Sequence, residues 1–201
     1  MANAETCLLW LDRDQPNLGE ARQAVARLWQ DSRRAADVVK GLRALARRSD
    51  LELESVDITG AIREVLDVLR GELERGAVAL HIDLCADDRP VLGDRVQLQQ
   101  VLLNLIRNGI EAMSEVTDRT RALSISSKPT EQAMLVAVAD TGIGLSPAIA
   151  DRLFDPMFTT KHNGMGMGLS ICRSIIEAHR GRIWAAKNMP YGSIFSFTMP
   201  A

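Results

Sequence analysis

The sequence predicts an α+β fold, a two-layer α/β sandwich with a mixed sheet packed on helices, preceded by an α-helical hairpin. Up to residue 50, apolar side chains recur at steps of three and four, which is the spacing of a helix face. From residue 51 onwards, segments that alternate apolar and polar residues are interspersed with amphipathic helices. This change of period predicts two domains, over residues 1–50 and 51–201.

The first domain is predicted as two helices, over residues 4–13 and 18–48, with a turn at Pro16 between them. The second helix carries an apolar stripe: Ala21, Val25, Leu28, Ser32, Ala35, Val39, Leu42 and Leu45. Because a two-helix hairpin buries little apolar surface alone, we expect this seam to meet another helix or another copy of the chain.

The second domain is predicted to contain helices over residues 59–75, 93–115, 146–154 and 168–181. Strands are predicted over residues 78–84, 122–127, 133–140, 181–187 and 192–199, and residues 49–57 are either a linker or the first strand. We expect Asp94 to cap the helix at 93–115, with Gln97 completing a capping box, and Gly76 and Gly181 to end their helices.

The composition excludes several classes of protein. The 201 residues are 46% hydrophobic and 25% charged, and the formal net charge of −2 offers no basic surface, so we expect no nucleic-acid partner. Cys7, Cys85 and Cys172 form no CxxC pair, which favours reduced thiols in a cytoplasmic protein. No apolar run approaches the ~18 to 20 residues that span a bilayer, so we expect no membrane segment in this chain.

The predicted helix at 93–115 has a polar face, which consists of Gln97, Asn104, Asn108 and Glu111. The face is either simply solvated or turned towards a ligand. Asparagine is a poor helix former, so two of them four residues apart favour the second interpretation. A carboxamide oxygen can bind a hard cation such as Mg²⁺, which brings phosphates with it. The apolar face consists of Leu98, Leu102, Leu105 and Met113.

Two further segments carry candidate site residues. Asp140 ends a predicted strand and is followed by Gly142 and Gly144, which form either a plain turn or a site where a carboxylate accepts a hydrogen bond from a ligand amine. The segment 153–161 is either a loop held to the core by Phe154 and Phe158 or a lid. As a lid, it would bring residues 160 and 161 to phosphates.

Gly164, Gly166 and Gly168 precede a predicted helix, whose first N–H groups can hold an anion. Their G-x-G-x-G spacing differs from the dinucleotide fingerprint, and no Walker lysine follows them. We expect these glycines to let a lid open and close over a phosphate group.

Five motifs in order, "NLIRNGIEA", "DTGIG", "LFDPMFTTK", "GMGMGLS" and "GSIFSFT", resemble the N, G1, F, G2 and G3 boxes of sensor histidine kinases in two-component systems. The resemblance covers residues 53–200, and the residues of the motifs are most similar to those of PAS-linked kinases of the rhizobial oxygen-sensor type. "MFTTK" and "EAHRG" are mild departures. The resemblance implies a Bergerat-type ATP-binding fold of the GHKL superfamily. It also identifies residues 1–50 as similar to part of a dimerisation and histidine-phosphotransfer hairpin.

The resemblance implies a role for each site residue. Asp140 would accept the adenine amino group beside Gly142 and Gly144, and Asn108 would bind Mg²⁺. Asn104 stands where the ATPase relatives have a catalytic glutamate, and an amide cannot act as a general base. Transfer to a protein is therefore favoured over hydrolysis. The remaining phosphate-side residues would be Arg107, Thr160, Lys161, Gly164, Gly166, Gly168, Leu169 and Ser170, with Lys161 counted among the catalytic residues.

The resemblance also implies partners: ATP or ADP, a response-regulator receiver domain, and a second copy of the chain through the hairpin. The family's phosphoacceptor is a histidine on the first hairpin helix, whereas His81, His162 and His179 lie elsewhere. We therefore expect the chain to begin after the acceptor, to bind nucleotide without phosphorylating itself, and to self-associate weakly. The alternatives are a GHKL ATPase, a serine kinase, or a nucleotide-binding or dimerisation module without kinase activity.

Overall fold

The computed structural model describes residues 2–29, 31–32, 53–86, 89–150, 152–160 and 166–200. The chain divides into two compact units, Met1–Arg43 and Ala44–Ala201. The second unit contains a five-stranded mixed sheet and helices, and this architecture confirms the predicted α+β sandwich.

The first unit contains α1 (Ala2–Leu11) and a second helix, α2, which covers residues 18–29 and 31–32 among those described. Asn17 caps α2, since its Oδ1 accepts a hydrogen bond from the backbone N–H of Glu20 at 3.1 Å. Ala21 and Ala24 are buried, whereas Val25 of the predicted apolar stripe is 52% exposed in this chain. The predicted stripe beyond residue 32 lies outside the described residues. Within the described part of the chain, no helix is long and apolar enough to cross a membrane.

The main sheet of the second unit has the strand order β2-β4-β5-β7-β6, with β2 parallel to β4 and the other pairs antiparallel. A separate two-stranded sheet pairs β1 with β3. The strands are β1 (Glu54–Val56), β2 (Ala79–Asp83), β3 (Val91–Gly93), β4 (Ala122–Pro129), β5 (Ala133–Asp140), β6 (Arg182–Lys187) and β7 (Ser193–Pro200).

The helices of the second unit are α3 (Ile58–Arg75), α4 (Arg95–Ala112), α5 (Pro147–Ala150) and α6 (Gly168–Ala178). Alternate residues of the strands pack with the apolar faces of α3, α4 and α6 in one core. The predicted apolar face of α4 is confirmed, because its four members are fully buried: Leu98, Leu102, Leu105 and Met113.

The capping box predicted for α4 is wrong in its second half. Asp94 Oδ1 accepts from the Gln97 backbone N–H at 3.1 Å, as expected. The Gln97 side chain, however, donates to the Asp94 carboxylate, and the Asp94 N–H donates instead to His179 Nε2 at 2.9 Å. His179 is buried, and its Nδ1 lies 2.7 Å from the carbonyl oxygen of Ile175. His179, the C-cap residue of α6, therefore accepts the hydrogen bond from the Asp94 N–H that the Gln97 side chain would accept in a capping box.

Two element boundaries also differ from the prediction. Residues 91–93, next to the predicted start of α4, form β3, which is stabilised by pairing with β1. The helix predicted over 146–154 is four residues long, and turns follow it. The left-handed residue after α6 is Arg180, with φ of 60°, and the N–H of Gly181 closes the helix by donating to the Ile176 carbonyl at 2.9 Å. A glycine is required at position 181 because a Cβ there would lie 2.0 Å from the carbonyl oxygen of Thr198.

Candidate functional site

The centre of the candidate site is a carboxylate at a core position of the sheet. Alternate residues of β5 point inward, namely Met134, Val136, Val138 and Asp140. The last of these, Asp140, is only 2% exposed. A charged side chain in an apolar row is costly unless it is hydrogen-bonded, so its partners decide what it can do.

Asp140 receives three hydrogen bonds from the described residues. Oδ1 accepts from the backbone N–H of Gly142 at 2.7 Å and of Ser193 at 3.3 Å, and Oδ2 accepts from the Ser193 hydroxyl. A carboxylate has about four lone-pair sites, so these bonds leave one of them on Oδ2. The arrangement fixes the carboxylate and leaves it able to accept one more hydrogen bond.

Burial raises the pKa of Asp140 above its ordinary value, and the hydrogen bonds from Ser193 and Gly142 lower it in part. Burial is the larger of the two effects. A carboxylate with a raised pKa is a stronger acceptor than an ordinary one while it stays ionised. The site is therefore suited to accept from a neutral N–H donor such as an exocyclic amine.

The glycines around Asp140 are required by close backbone approaches. A Cβ on Gly142 would lie 2.6 Å from the carbonyl oxygen of Ala112, and one on Gly192 would lie 1.9 Å from that of Asp140. Gly144 and Gly192 also have positive φ, of 76° and 93°. The predicted Asp140, Gly142 and Gly144 are thus brought together.

Three residues of this cluster have no site role predicted from the sequence: Asn188, and Gly192 and Ser193, which begin the fifth motif. The Asn188 side chain donates to the backbone carbonyl of Asp140 at 2.8 Å. Ser193 could have been found from the alternation in β7, because it shares the inward face with Phe195 and Phe197. Ser193 begins the inward-facing row of β7, and Asp140 ends the inward-facing row of β5. A polar residue at the end of an apolar row is the signal that the two positions share.

Helix α4 lies against the Asp140 end of the sheet. A Cβ on Gly109 would be 2.7 Å from Leu123 Cδ1 and 3.5 Å from the Cβ of Asp140. Asn108 precedes this glycine and is half-buried, as is Asn104 one turn earlier. The structure therefore places the two predicted asparagines on the helix that adjoins the carboxylate.

The thiol of Cys172 on α6 lies next to the Asn104 amide and donates to the Val101 carbonyl oxygen on α4 at 3.9 Å. Burial raises the pKa of this thiol to about 12, and the Asn104 contact lowers it in part. Cys172 therefore remains a neutral thiol that packs behind Asn104. The hydrogen bond from Cys172 to Val101 joins α6 to α4.

Arg107 lies at the boundary of α4 and α3 and binds Glu72 there. Its Nη2 is 2.6 Å from Glu72 Oε1, and its Nε lies 3.2 Å from both carboxylate oxygens. Both side chains are about one-third exposed, at 31% and 32%. The structure therefore joins Arg107 to a neighbouring helix and does not bring it to Asp140.

At the other end of the site, α6 begins with accessible backbone. Its N-cap residue Met167 makes no side-chain capping bond, and a Cβ on Gly168 would meet nothing within 4 Å. Ser170 Oγ donates to the Met167 carbonyl at 2.9 Å, and the Leu169 side chain packs partly on the core. The first N–H groups of such a helix can bind an anion.

The segment before α6 is described only in part. Phe154 packs edge-on against Phe195 at 6.5 Å, and the Arg152 guanidinium lies 4.6 Å from the centre of the Phe158 ring. Gly166, with φ of 68°, lies against the backbone of Phe158. Thr160 is exposed, and the predicted Lys161 and Gly164 lie outside the described residues.

Among the described residues, no group of three His, Cys, Asp or Glu side chains is arranged to hold a metal ion. A cation at this site would depend on the amide oxygens of α4 and on oxygens that a ligand brings. Amide and phosphate oxygens are ligands that Mg²⁺ accepts, so the residues present fit that ion.

A family model for histidine kinase-, DNA gyrase B- and HSP90-like ATPases matches residues 93–201, which is more than half of the chain. The chain belongs to this family. The sensor histidine kinase TmoS of Ectopseudomonas mendocina is 37% identical over 203 residues, which cover 100% of this chain and 21% of TmoS. The sensor protein FixL of Bradyrhizobium diazoefficiens is 40% identical over 188 residues, which cover 92% of this chain and 37% of FixL.

The catalytic domain of the histidine kinase ThkA matches with a TM-score of 0.67 at 33% identity, over 74% of this chain and 95% of that domain. The predicted membership is therefore confirmed: the chain carries an ATP-binding catalytic domain of the sensor histidine kinase type. The chain spans well under half the length of TmoS and of FixL.

Proposed function

We propose that the chain binds ATP with its adenine amino group on Asp140 Oδ2. The observation that carries this proposal is the buried carboxylate, which three donors fix and which retains one lone pair for a further hydrogen bond. Gly142 and Gly144 let the loop pack against the backbones of Ala112 and Gly192, which holds it beside the carboxylate.

At the phosphate end, we assign Asn108 as the protein ligand of Mg²⁺ and the first N–H groups of α6, at Gly168, Leu169 and Ser170, as phosphate contacts. When bound, Mg²⁺ neutralises charge on the phosphate oxygens during phosphoryl transfer. We retain Thr160, Lys161, Gly164 and Gly166 as lid residues on the strength of the sequence motifs. Arg107 has a structural ion pair with Glu72, so we assign its contribution to positioning α4.

The proposed reaction is transfer of the γ-phosphate of ATP to a histidine of a phosphotransfer hairpin, and then to an aspartate of a response regulator. A P–N bond to the imidazole forms as the P–O bond to ADP breaks. Asn104 supports transfer over hydrolysis, because its amide cannot take a proton from water. ThkA has been solved with its response regulator TrrA, and that structure matches this chain with a TM-score of 0.76 at 26% identity.

We further propose that the hairpin of the intact protein forms a homodimer. In the described part of the hairpin, several large apolar side chains are more than half exposed: Leu8, Leu9, Leu18, Val25 and Trp29. Burying such side chains against a second copy is favourable at roughly 25 cal/mol per Å² of apolar surface removed from water. Sedimentation at increasing concentration tests this, and a strict monomer would contradict it.

Nucleotide binding is tested by calorimetry with ATP and Mg²⁺ on the wild type and on Asp140→Asn. The substitution places an NH₂ group against donors from Gly142 or Ser193, so we expect at least a tenfold loss of ATP affinity, about 1.4 kcal/mol. Asp83→Asn is the matched control, because Asp83 also ends a strand but is exposed. ATP affinity that is equal in both variants would exclude the assigned base pocket.

Phosphotransfer is tested separately with labelled ATP, a hairpin that contains the phosphoacceptor histidine, and a receiver domain. We expect label on the histidine and then on the receiver domain, with little release of free phosphate in their absence. Steady ATP turnover without an acceptor would instead favour a GHKL ATPase.

A further inference from the structure

Arg119 is a side chain outside the five motifs that contacts the loop next to Asp140. It lies between α4 and β4, and its side chain is 21% exposed. Its Nε donates to the carbonyl oxygen of Thr141 and its Nη2 to that of Gly142, both at 3.0 Å. Its Nη1 is 2.9 Å from the Asp118 carboxylate. The guanidinium thus holds two successive carbonyl groups with its planar set of donors.

The first of these carbonyls belongs to the peptide unit that donates to Asp140. The C=O of Thr141 accepts from Arg119, and the N–H of Gly142 in the same peptide donates to Asp140 Oδ1 at 2.7 Å. A cation at the oxygen of a peptide polarises it and strengthens its N–H as a donor. Arg119 is therefore connected to the carboxylate through a single peptide group.

The next peptide unit is also held at both ends. The C=O of Gly142 accepts from Arg119, and the N–H of Ile143 donates to the carbonyl of Ala112 at 3.2 Å. Gly142 cannot move towards α4, because even a Cβ there would meet Ala112. Arg119 therefore holds the two peptide units that follow Asp140 by their carbonyl oxygens.

Arg119 also contacts the loop that supplies the other two donors. Its guanidinium lies 4.3 Å from the centre of the Tyr191 ring. Tyr191 is followed by Gly192 and then by Ser193, whose N–H and hydroxyl both bind the Asp140 carboxylate. One side chain therefore contacts both of the loops from which Asp140 receives its three hydrogen bonds.

We propose that Arg119, supported by Tyr191, is a positioning residue that aims Asp140 at the adenine amino group and thereby sets the preference for ATP over GTP. The proposal rests on the proposed function. Adenine has an amino donor where guanine has an oxygen, which a carboxylate repels. A displaced carboxylate loses the hydrogen bond to ATP, whereas GTP has no such bond to lose.

The test compares ATP and GTP affinities, by calorimetry with Mg²⁺, in the wild type, Arg119→Ala and Arg119→Lys. We expect Arg119→Ala to weaken ATP binding roughly tenfold, the loss of about one charge-assisted hydrogen bond, while GTP affinity changes much less. The ratio of the two affinities therefore falls. Lysine will not restore the ratio, because a single ammonium cannot hold two carbonyls and cover a ring.

Arg121→Ala is the matched control. Arg121 likewise donates to two backbone carbonyls, those of Val116 and Gly76, but neither belongs to the loops around Asp140. We expect this variant to keep the wild-type ratio even where it lowers the melting temperature. Tyr191→Leu gives a milder second variant of the same contact and is expected to lower the ratio, and Tyr191→Phe is expected to restore it.

The outcomes separate the two proposals. A wild type that binds neither nucleotide overturns the proposed function. A wild type that prefers ATP, with an unchanged ratio in both Arg119→Ala and Tyr191→Leu, overturns the positioning role alone. An equal fall of the ratio in Arg121→Ala also overturns it, because the effect would then follow from general loosening of the fold.

Discussion

The two ends of the candidate nucleotide site are built in different ways. At the base end, Asp140 is 2% exposed and is fixed by donors from two loops. At the phosphate end, Thr160 is exposed, and the start of α6 at Gly168 adjoins open space. The base end can thus select one hydrogen-bonding pattern, whereas the phosphate end can admit a charged group together with a cation.

This difference gives the glycines of the two ends different roles. Gly142 and Gly192 allow backbones to pass at distances that no side chain permits. Gly168 faces no such contact, because a Cβ there would enter open space next to the first N–H groups of α6. Close packing therefore requires glycine at the base end, whereas no packing contact requires it at Gly168.

The largest effect is expected for Gly192→Ala. The residue has φ of 93°, and a Cβ would lie 1.9 Å from the carbonyl oxygen of Asp140. We expect a loss of about 3 kcal/mol or more in the free energy of unfolding, from backbone strain together with the clash. Urea denaturation measures it. A loss below about 1 kcal/mol would show that the base end is less rigid than its contacts indicate.

The next effect is a dependence of ATP affinity on pH. Binding needs the ionised form of Asp140, and burial raises its pKa above the ordinary value of 3.8. We expect affinity to fall about tenfold per pH unit below the raised pKa, so the decline begins at a higher pH than for an ordinary aspartate.

The raised pKa of Asp140 has the opposite effect on the stability of the nucleotide-free chain, which falls as the pH rises. A carboxyl whose pKa is higher in the folded state contributes stability that is fully present below pH 3.8 and is lost as the pH rises through the folded pKa. The difference in unfolding free energy between wild type and Asp140→Asn, measured across pH, isolates this contribution. A difference independent of pH would contradict the raised pKa.

The sequence was sufficient to predict most of this fold, because hydrophobic period identifies strands and helices that bury one face. Leu98, Leu102 and Leu105 illustrate this, since their spacing alone predicted a buried face and all three are fully buried. The family was likewise predictable, because five motifs occur in a fixed order. Asp140 could be proposed as a site residue since it ends a strand and precedes two glycines.

The contacts that could not be predicted from the sequence are mainly tertiary contacts between residues far apart in the chain. The acceptor for the Asp94 N–H is His179, which is 85 residues away, so no local capping rule could name it. The ion pair of Arg107 with Glu72 spans 35 residues and depends on how α3 and α4 pack. The role of Arg119 could not be predicted either. Its partners are backbone carbonyl groups, which every residue has, so no sequence pattern identifies them.

The smallest effect is expected for Gly168→Ala, and it tests the phosphate end. A methyl group there would enter open space, and alanine is a better helix former than glycine by about 1 kcal/mol in a helix interior. Gly168 is the first residue of α6, so we expect a gain below that figure in urea denaturation. The backbone N–H is unchanged, so ATP affinity should stay within about threefold, since adding one methyl in open space removes no hydrogen bond. A stability loss like that of Gly192→Ala would mean that the start of α6 is packed, and the contrast between the two ends would then fail.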